Sequence, residues 1–70
     1  MLEFHGVRVQ LKGEGARNFL PGGEHPGVVR YYALETASGG LHVQAVCSQA
    51  EGYTAIAFGP HAWMWWEPLL

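Results

Sequence analysis

Aspartate is missing from this chain altogether, so its six carboxylate side chains are all glutamates: Glu3, Glu14, Glu24, Glu35, Glu51 and Glu67. Cations are scarcer, with one lysine, Lys12, and three arginines, Arg8, Arg17 and Arg30. Charged residues make up 14% of the 70 residues, against roughly 25% in an average soluble domain. Four scattered cations do not form the basic cluster that neutralises a phosphate backbone, so nucleic acid is not an expected partner. Arg30-Tyr31-Tyr32 has the chemistry to stack one unpaired base. A core tyrosine beside a solvated arginine explains the same residues more simply.

Long apolar runs are lacking too. None approaches the roughly 18 residues of a membrane span, so no membrane is expected. The start, Met1-Leu2-Glu3-Phe4-His5, has neither a basic flank nor an apolar signal core, and nothing there suggests export. Cys47 is the only cysteine, which rules out a disulfide framework. A lone thiol most often behaves as a small buried hydrophobe, and a reducing, cytoplasmic setting suits it.

What is present is apolar. Hydrophobic residues reach 49%, and Leu, Ile, Val and Phe number 17 of 70, which favours a folded chain. Residues 1–70 form one expected domain, at the size where a single core barely suffices. Few charges, a small core and a tryptophan-rich end together favour burial against a partner.

Leu2 to Lys12 reads as a strand: Val7, Val9 and Leu11 alternate with Arg8, Gln10 and Lys12. Leu2 and Phe4 fall on the other parity, so a bulge is expected at Gly6. Residues 13–27 hold five glycines and two prolines and read as a long flexible loop pinned by Phe19-Leu20, with at most one helical turn over Ala16–Leu20. Val28 to Thr36 is the strongest strand, apolar on both parities, with Val29, Tyr31 and Ala33 on one side and Val28, Tyr32 and Leu34 on the other. Turns at Ser38-Gly39-Gly40 and Gln49–Gly52 separate it from strands at Leu41–Ser48 and Tyr53–Phe58, giving a meander over 28–58. The expected fold is mainly β: a small curled antiparallel sheet or barrel of four to five strands, which the first strand completes, with the Gly-rich loop after that strand.

The aromatic C-terminal segment, residues 60–70, has two readings. As an extended strand it sets Trp63 and Trp65 on one face, the favoured reading. As a short helix begun by Pro60 it would group Trp63 with Trp66. Either way, one of three tryptophans within four residues points away from any single core face.

Catalytic motifs are thin. Gly13-Glu14-Gly15-Ala16-Arg17-Asn18 approaches the G-x-G-x-x-G dinucleotide fingerprint but ends in asparagine and leaves no room for a βαβ unit. Cys47 and His42 lie five apart on one expected strand and face opposite ways, while His42 and Ser48 stand about 20 Å apart at strand rise. No catalytic residue is therefore assigned, and the residues lean against an enzyme. No two of His5, His25, His42, His61 and Cys47 have the close spacing of a structural zinc site, so neither metal nor cofactor is expected.

Two functional expectations follow. The first is a non-catalytic interaction module that self-associates, or binds a protein partner, through an aromatic face of Tyr32, Trp63, Trp65 and Trp66. The second is a small-molecule binding domain, catalytic or not. Its pocket would lie between the 13–27 loop and the tryptophans, with Glu24, His25, His61 and Glu67 as polar contacts. Trp63 and Trp66 with Glu67 would also suit a cation or a sugar ring.

Overall fold

A computed structural model describes residues 3–23 and 25–70. Leu2, where the first strand was expected to begin, and the candidate contact Glu24 lie outside the described residues.

The alternating Val-Arg-Val-Gln-Leu stretch forms β1 (Gly6–Leu11), which buries Val7 and Val9 and turns Arg8 and Gln10 outward. A tight turn follows, with Gly13 at φ 73°, a left-handed conformation that suits glycine. The chain then returns as β2 (Ala16–Phe19), antiparallel to β1, with Val7 opposite Phe19 and Arg8 opposite Asn18. β3 (Val28–Glu35), β4 (Leu41–Cys47) and β5 (Tyr53–Phe58) form the expected meander, and β6 (Trp63–Leu69) pairs with the free side of β1. Two three-stranded antiparallel sheets result, in the orders β2-β1-β6 and β3-β4-β5.

Three expectations are corrected here. Among the described residues six strands form instead of four or five, and they make two sheets rather than one curled sheet or a closed barrel. The Gly-rich segment 13–27 is not one long loop, because β2 runs through it where a helical turn was the alternative. Ala-Arg-Asn-Phe has little β-propensity; backbone pairing with β1 and the burial of Phe19 hold it in place. β1 therefore joins β2 and β6 and does not complete the meander. It meets the meander through side-chain packing, and just before it the His5 carbonyl accepts a backbone hydrogen bond from Tyr31 N at 2.8 Å. Among the described residues, no helix is long and apolar enough to cross a membrane.

The expected bulge at Gly6 is absent, since Gly6 pairs in register with Leu69. Extra residues sit elsewhere, at Val29 in β3, Ala55 in β5 and Met64 in β6. Each changes the facing of the strand beyond it, so apolar residues three apart come to one side. Val28 joins Tyr31, Tyr53 joins Ile56, and Trp63 joins Trp66, all facing the opposite sheet.

The core lies between the sheets. Val7, Val9 and Phe19 meet Val28, Tyr31, Leu41, Val43 and Ala45, with the Phe19 and Tyr31 rings 5.9 Å apart and tilted. Gly6 is where the end of β2 comes closest. A Cβ there would stand 2.5 Å from Leu20 Cδ2 and 2.7 Å from the Phe19 carbonyl oxygen. Gly6→Ala is expected to lower unfolding stability by about 1–3 kcal/mol, the usual cost of overpacking. Urea unfolding checks it, and an unchanged midpoint would show that β2 can move aside freely.

Candidate functional site

The bulge at Met64 decides where the aromatic segment points. Trp63 and Trp66 turn towards the second sheet and are half-buried against the core. Each indole also finds an acceptor there. Trp63 Nε1 donates to Gly39 O at 3.0 Å, and Trp66 Nε1 donates to Glu35 Oε2 at 3.2 Å. Glu35 ends β3 and Gly39 lies in the β3–β4 turn, so the two tryptophans tie β6 to that hairpin. Trp65 sits opposite Gln10 and points away from the core, 44% exposed, beside the still more exposed Met64. The segment is thus a strand, but the bulge groups Trp63 with Trp66, the pairing expected of a helix.

Around Trp65 the outer face of the first sheet is polar. Arg8 Nε donates to Asn18 Oδ1 at 3.0 Å and Arg8 Nη1 to Glu67 Oε1 at 3.1 Å, a row that crosses β2, β1 and β6. Such an exposed pair contributes about 0.2–1 kcal/mol and leaves Glu67 engaged with its neighbour. The outer face of the second sheet is different. Tyr32 and Leu34 stand exposed there, Gln44 donates to Thr54, and the only formal charge on its paired rows is Arg30.

Two clefts open where the sheets meet. An apolar one of about 180 Å³ lies between β3 and the β1–β6 pair, lined by Phe4, Val7, Arg30, Tyr32, Trp66 and Pro68 among others. It brings together Tyr32 and Trp66, two of the four residues expected to form an interaction face. Trp65 lies on the outer side of the first sheet, and Trp63 is occupied at the hairpin turn. The second cleft, about 290 Å³, lies along β2 and is lined by Arg17, Asn18, Phe19, Leu20, Gly23, His25 and Tyr31. In it the Arg17 guanidinium lies over the Phe19 ring, 5.2 Å from its centroid.

The polar contacts expected of a ligand pocket do not converge. His25 lines the second cleft and sets its ring edge-on to Tyr53, 6.1 Å away. His61 is in the β5–β6 turn at the opposite end of β1, where Lys12 N donates to Ala62 O. Glu67 is on the outer face with Arg8. No tryptophan lines the cleft that contains His25. Among the described residues, no three of His, Cys, Asp and Glu gather as a metal-holding set. Phe4, Pro68 and Arg17 are among the lining residues that sequence reasoning missed. Phe4 was assigned to a strand face, whereas it precedes β1 and stays 46% exposed.

Trp66→Phe keeps a ring at the site and removes the donor to Glu35. We expect a loss of about 0.5–1.5 kcal/mol in stability that largely vanishes in a Glu35→Ala background, which has no side-chain acceptor. Additive losses in that double-mutant cycle would show that the indole N–H does not join the sheets. In comparisons with protein-family models, curated proteins and solved structures, the chain matches none, so the functional reading stands on this geometry alone.

Proposed function

We propose that this chain is a small, non-catalytic interaction module that docks on a protein partner, taking one apolar side chain of that partner into the 180 Å³ cleft. The observation that carries the proposal is the make-up of the cleft. Tyr32 from β3 and Trp66 from β6 wall it together with Phe4 and Pro68, joining the aromatic segment to the apolar outer side of β3. Pockets that take a whole small molecule run from about 300 to 1,000 Å³, so this volume suits a single anchoring side chain better. Tyr32 and Leu34 extend the apolar surface beyond the cleft, and Arg30 offers one cation at its edge. Tyrosine, tryptophan and arginine are the residue types that dominate binding hot spots.

The second reading, a small-molecule site, rests on the larger cleft. Arg17, Asn18 and His25 supply polar groups there over a floor of Phe19 and Tyr31, which would suit a small aromatic acid. Its volume falls just short of the usual range, which favours the first reading.

Selection from a library of displayed peptides separates the two. We expect enriched peptides to share one large apolar anchor, and to lose about tenfold or more in affinity against Tyr32→Ala or Phe4→Ala. Arg17→Ala should leave their binding unchanged. No enrichment, or binding that ignores Tyr32 and Phe4, would overturn the docking proposal. Saturable binding of an aromatic acid that Arg17→Ala abolishes would establish the second reading.

A further inference from the structure

We infer that the outer edge of β5 pairs with β5 of a second copy of this chain, joining two three-stranded sheets into one of six strands. The inference rests on the edge strand and not on the cleft.

Four strand edges end the two sheets, and three of them are obstructed. β2 is only four residues long and carries Arg17. β6 carries Glu67 and Pro68, and proline cannot donate to a ladder. The edge of β3 is met by His5, whose carbonyl accepts Tyr31 N. Natural sheets blunt their edges with such charges, prolines, short strands and coverings. β5, Tyr-Thr-Ala-Ile-Ala-Phe, is six residues long, has no charge and no proline, and lies beyond β4 with no further strand beside it among the described residues.

The ladder shows which of its backbone groups are open. Thr36 N donates to Gly40 O at the β3–β4 turn. Hydrogen-bonded pairs alternate along an antiparallel ladder, so Leu34–His42 and Tyr32–Gln44 are bonded, and the amides of Leu41, Val43 and Ala45 turn to β5. Phe58, Ile56 and Tyr53 stand opposite those three residues. The N–H and C=O of Thr54 and Ala57 therefore point to the open side.

An antiparallel twofold that sets Thr54 against Ala57 of the second copy satisfies all four residues at once. The same register sets Tyr53 against Phe58 of the second copy, twice, in the non-hydrogen-bonded positions where side chains come closest. The bulge at Ala55 has already turned Tyr53, Ile56 and Phe58 to the core side. They are less buried than their β4 partners Leu41, Val43 and Ala45, and Tyr53 is 41% exposed. Pairing would continue the core across the axis, and no like charges would meet because the strand carries none.

The second copy is weakly held by area. Interfaces bury about 30 Å² per residue on each side, so some ten residues of β5 and its turns bury about 300 Å² per copy, well below a permanent dimer. A concentration-dependent dimer, formed in the micromolar to millimolar range, is the expected form.

Light scattering of the whole chain across that range is the test, with amide hydrogen exchange at low and high concentration. The mass is expected to rise from 7.7 kDa towards twice that value, with exchange slowing at Thr54 and Ala57. Ala57→Pro removes an N–H that no intramolecular bond uses and should hold the chain monomeric with unchanged circular dichroism. If that variant unfolds, Ala57→Lys, an exposed outward position, decides in its place. A monomer up to about 1 mM, or dimers that survive in the folded Ala57 variant, would overturn the inference. Dimers lost only on Tyr32→Ala would overturn it in favour of the cleft as the self-interface. The peptide selection decides the docking proposal independently of each of these results.

Discussion

One inserted residue, Met64, holds the two sheets in their present relation. Without it, Trp63 and Trp66 would face opposite ways, as residues three apart do on a regular strand, and one of them would turn out to water. With it, Trp63 and Trp66 both face the second sheet, where their N–H groups meet Gly39 O and Glu35 Oε2. The other links between the sheets are a core of eight buried residues and the bond from Tyr31 N to His5 O. A core that small leaves little surplus against chain entropy, so two large rings buried to the middle of their area carry much weight. The cleft depends on the same turn of the strand, because Trp66 is one of its walls.

The bulges at Val29 and Ala55 apply the same device to the second sheet. Each strand has apolar residues spaced by three, a spacing that suits a helical face but that strand alternation does not accommodate. A bulge reconciles it by spending one residue as a spacer. In β3 the spacer, Val29, is left 45% exposed, and beyond it Tyr32 and Leu34 take the outer face. The apolar outer surface of β3 is thus a consequence of the register shift that seats Val28 and Tyr31 in the core. A sheet face left to water would ordinarily be polar, as the Asn18–Arg8–Glu67 row is on the other sheet.

Much of the strand content was legible in the chain itself. The alternation in Val7–Leu11, the β-rich Val28–Thr36 and the turn glycines at 39–40 and 52 located the end of β1 and the meander to within a residue or two, whereas the first strand, expected from Leu2, begins only at Gly6. β2 was not legible, because Ala16, Arg17 and Asn18 gain their place from the neighbouring backbone and not from their side chains. Register was not legible either. Apolar spacing by three was visible at Phe4–Val7, where no bulge forms, as well as at the three sites where one does, and only cross-strand pairing chooses among them. That choice also governs the site. It separated Trp65 from Trp66, left His25, His61 and Glu67 on different sides, and brought in Phe4 and Pro68, which carry no functional signature of their own.

The two surfaces proposed for association lie on opposite edges of the second sheet. The cleft borders β3, the open edge belongs to β5, and β4 runs between them. Pairing through β5 would therefore leave each cleft uncovered and place two of them on one rigid sheet. A partner that offers two anchors would then bind the second from a high effective concentration, gaining avidity without any new contact. Weak pairing and a shallow single-residue cleft are each modest alone. Joined through one sheet they give a small domain, poor in charge and thin in its core, a physical route to useful affinity.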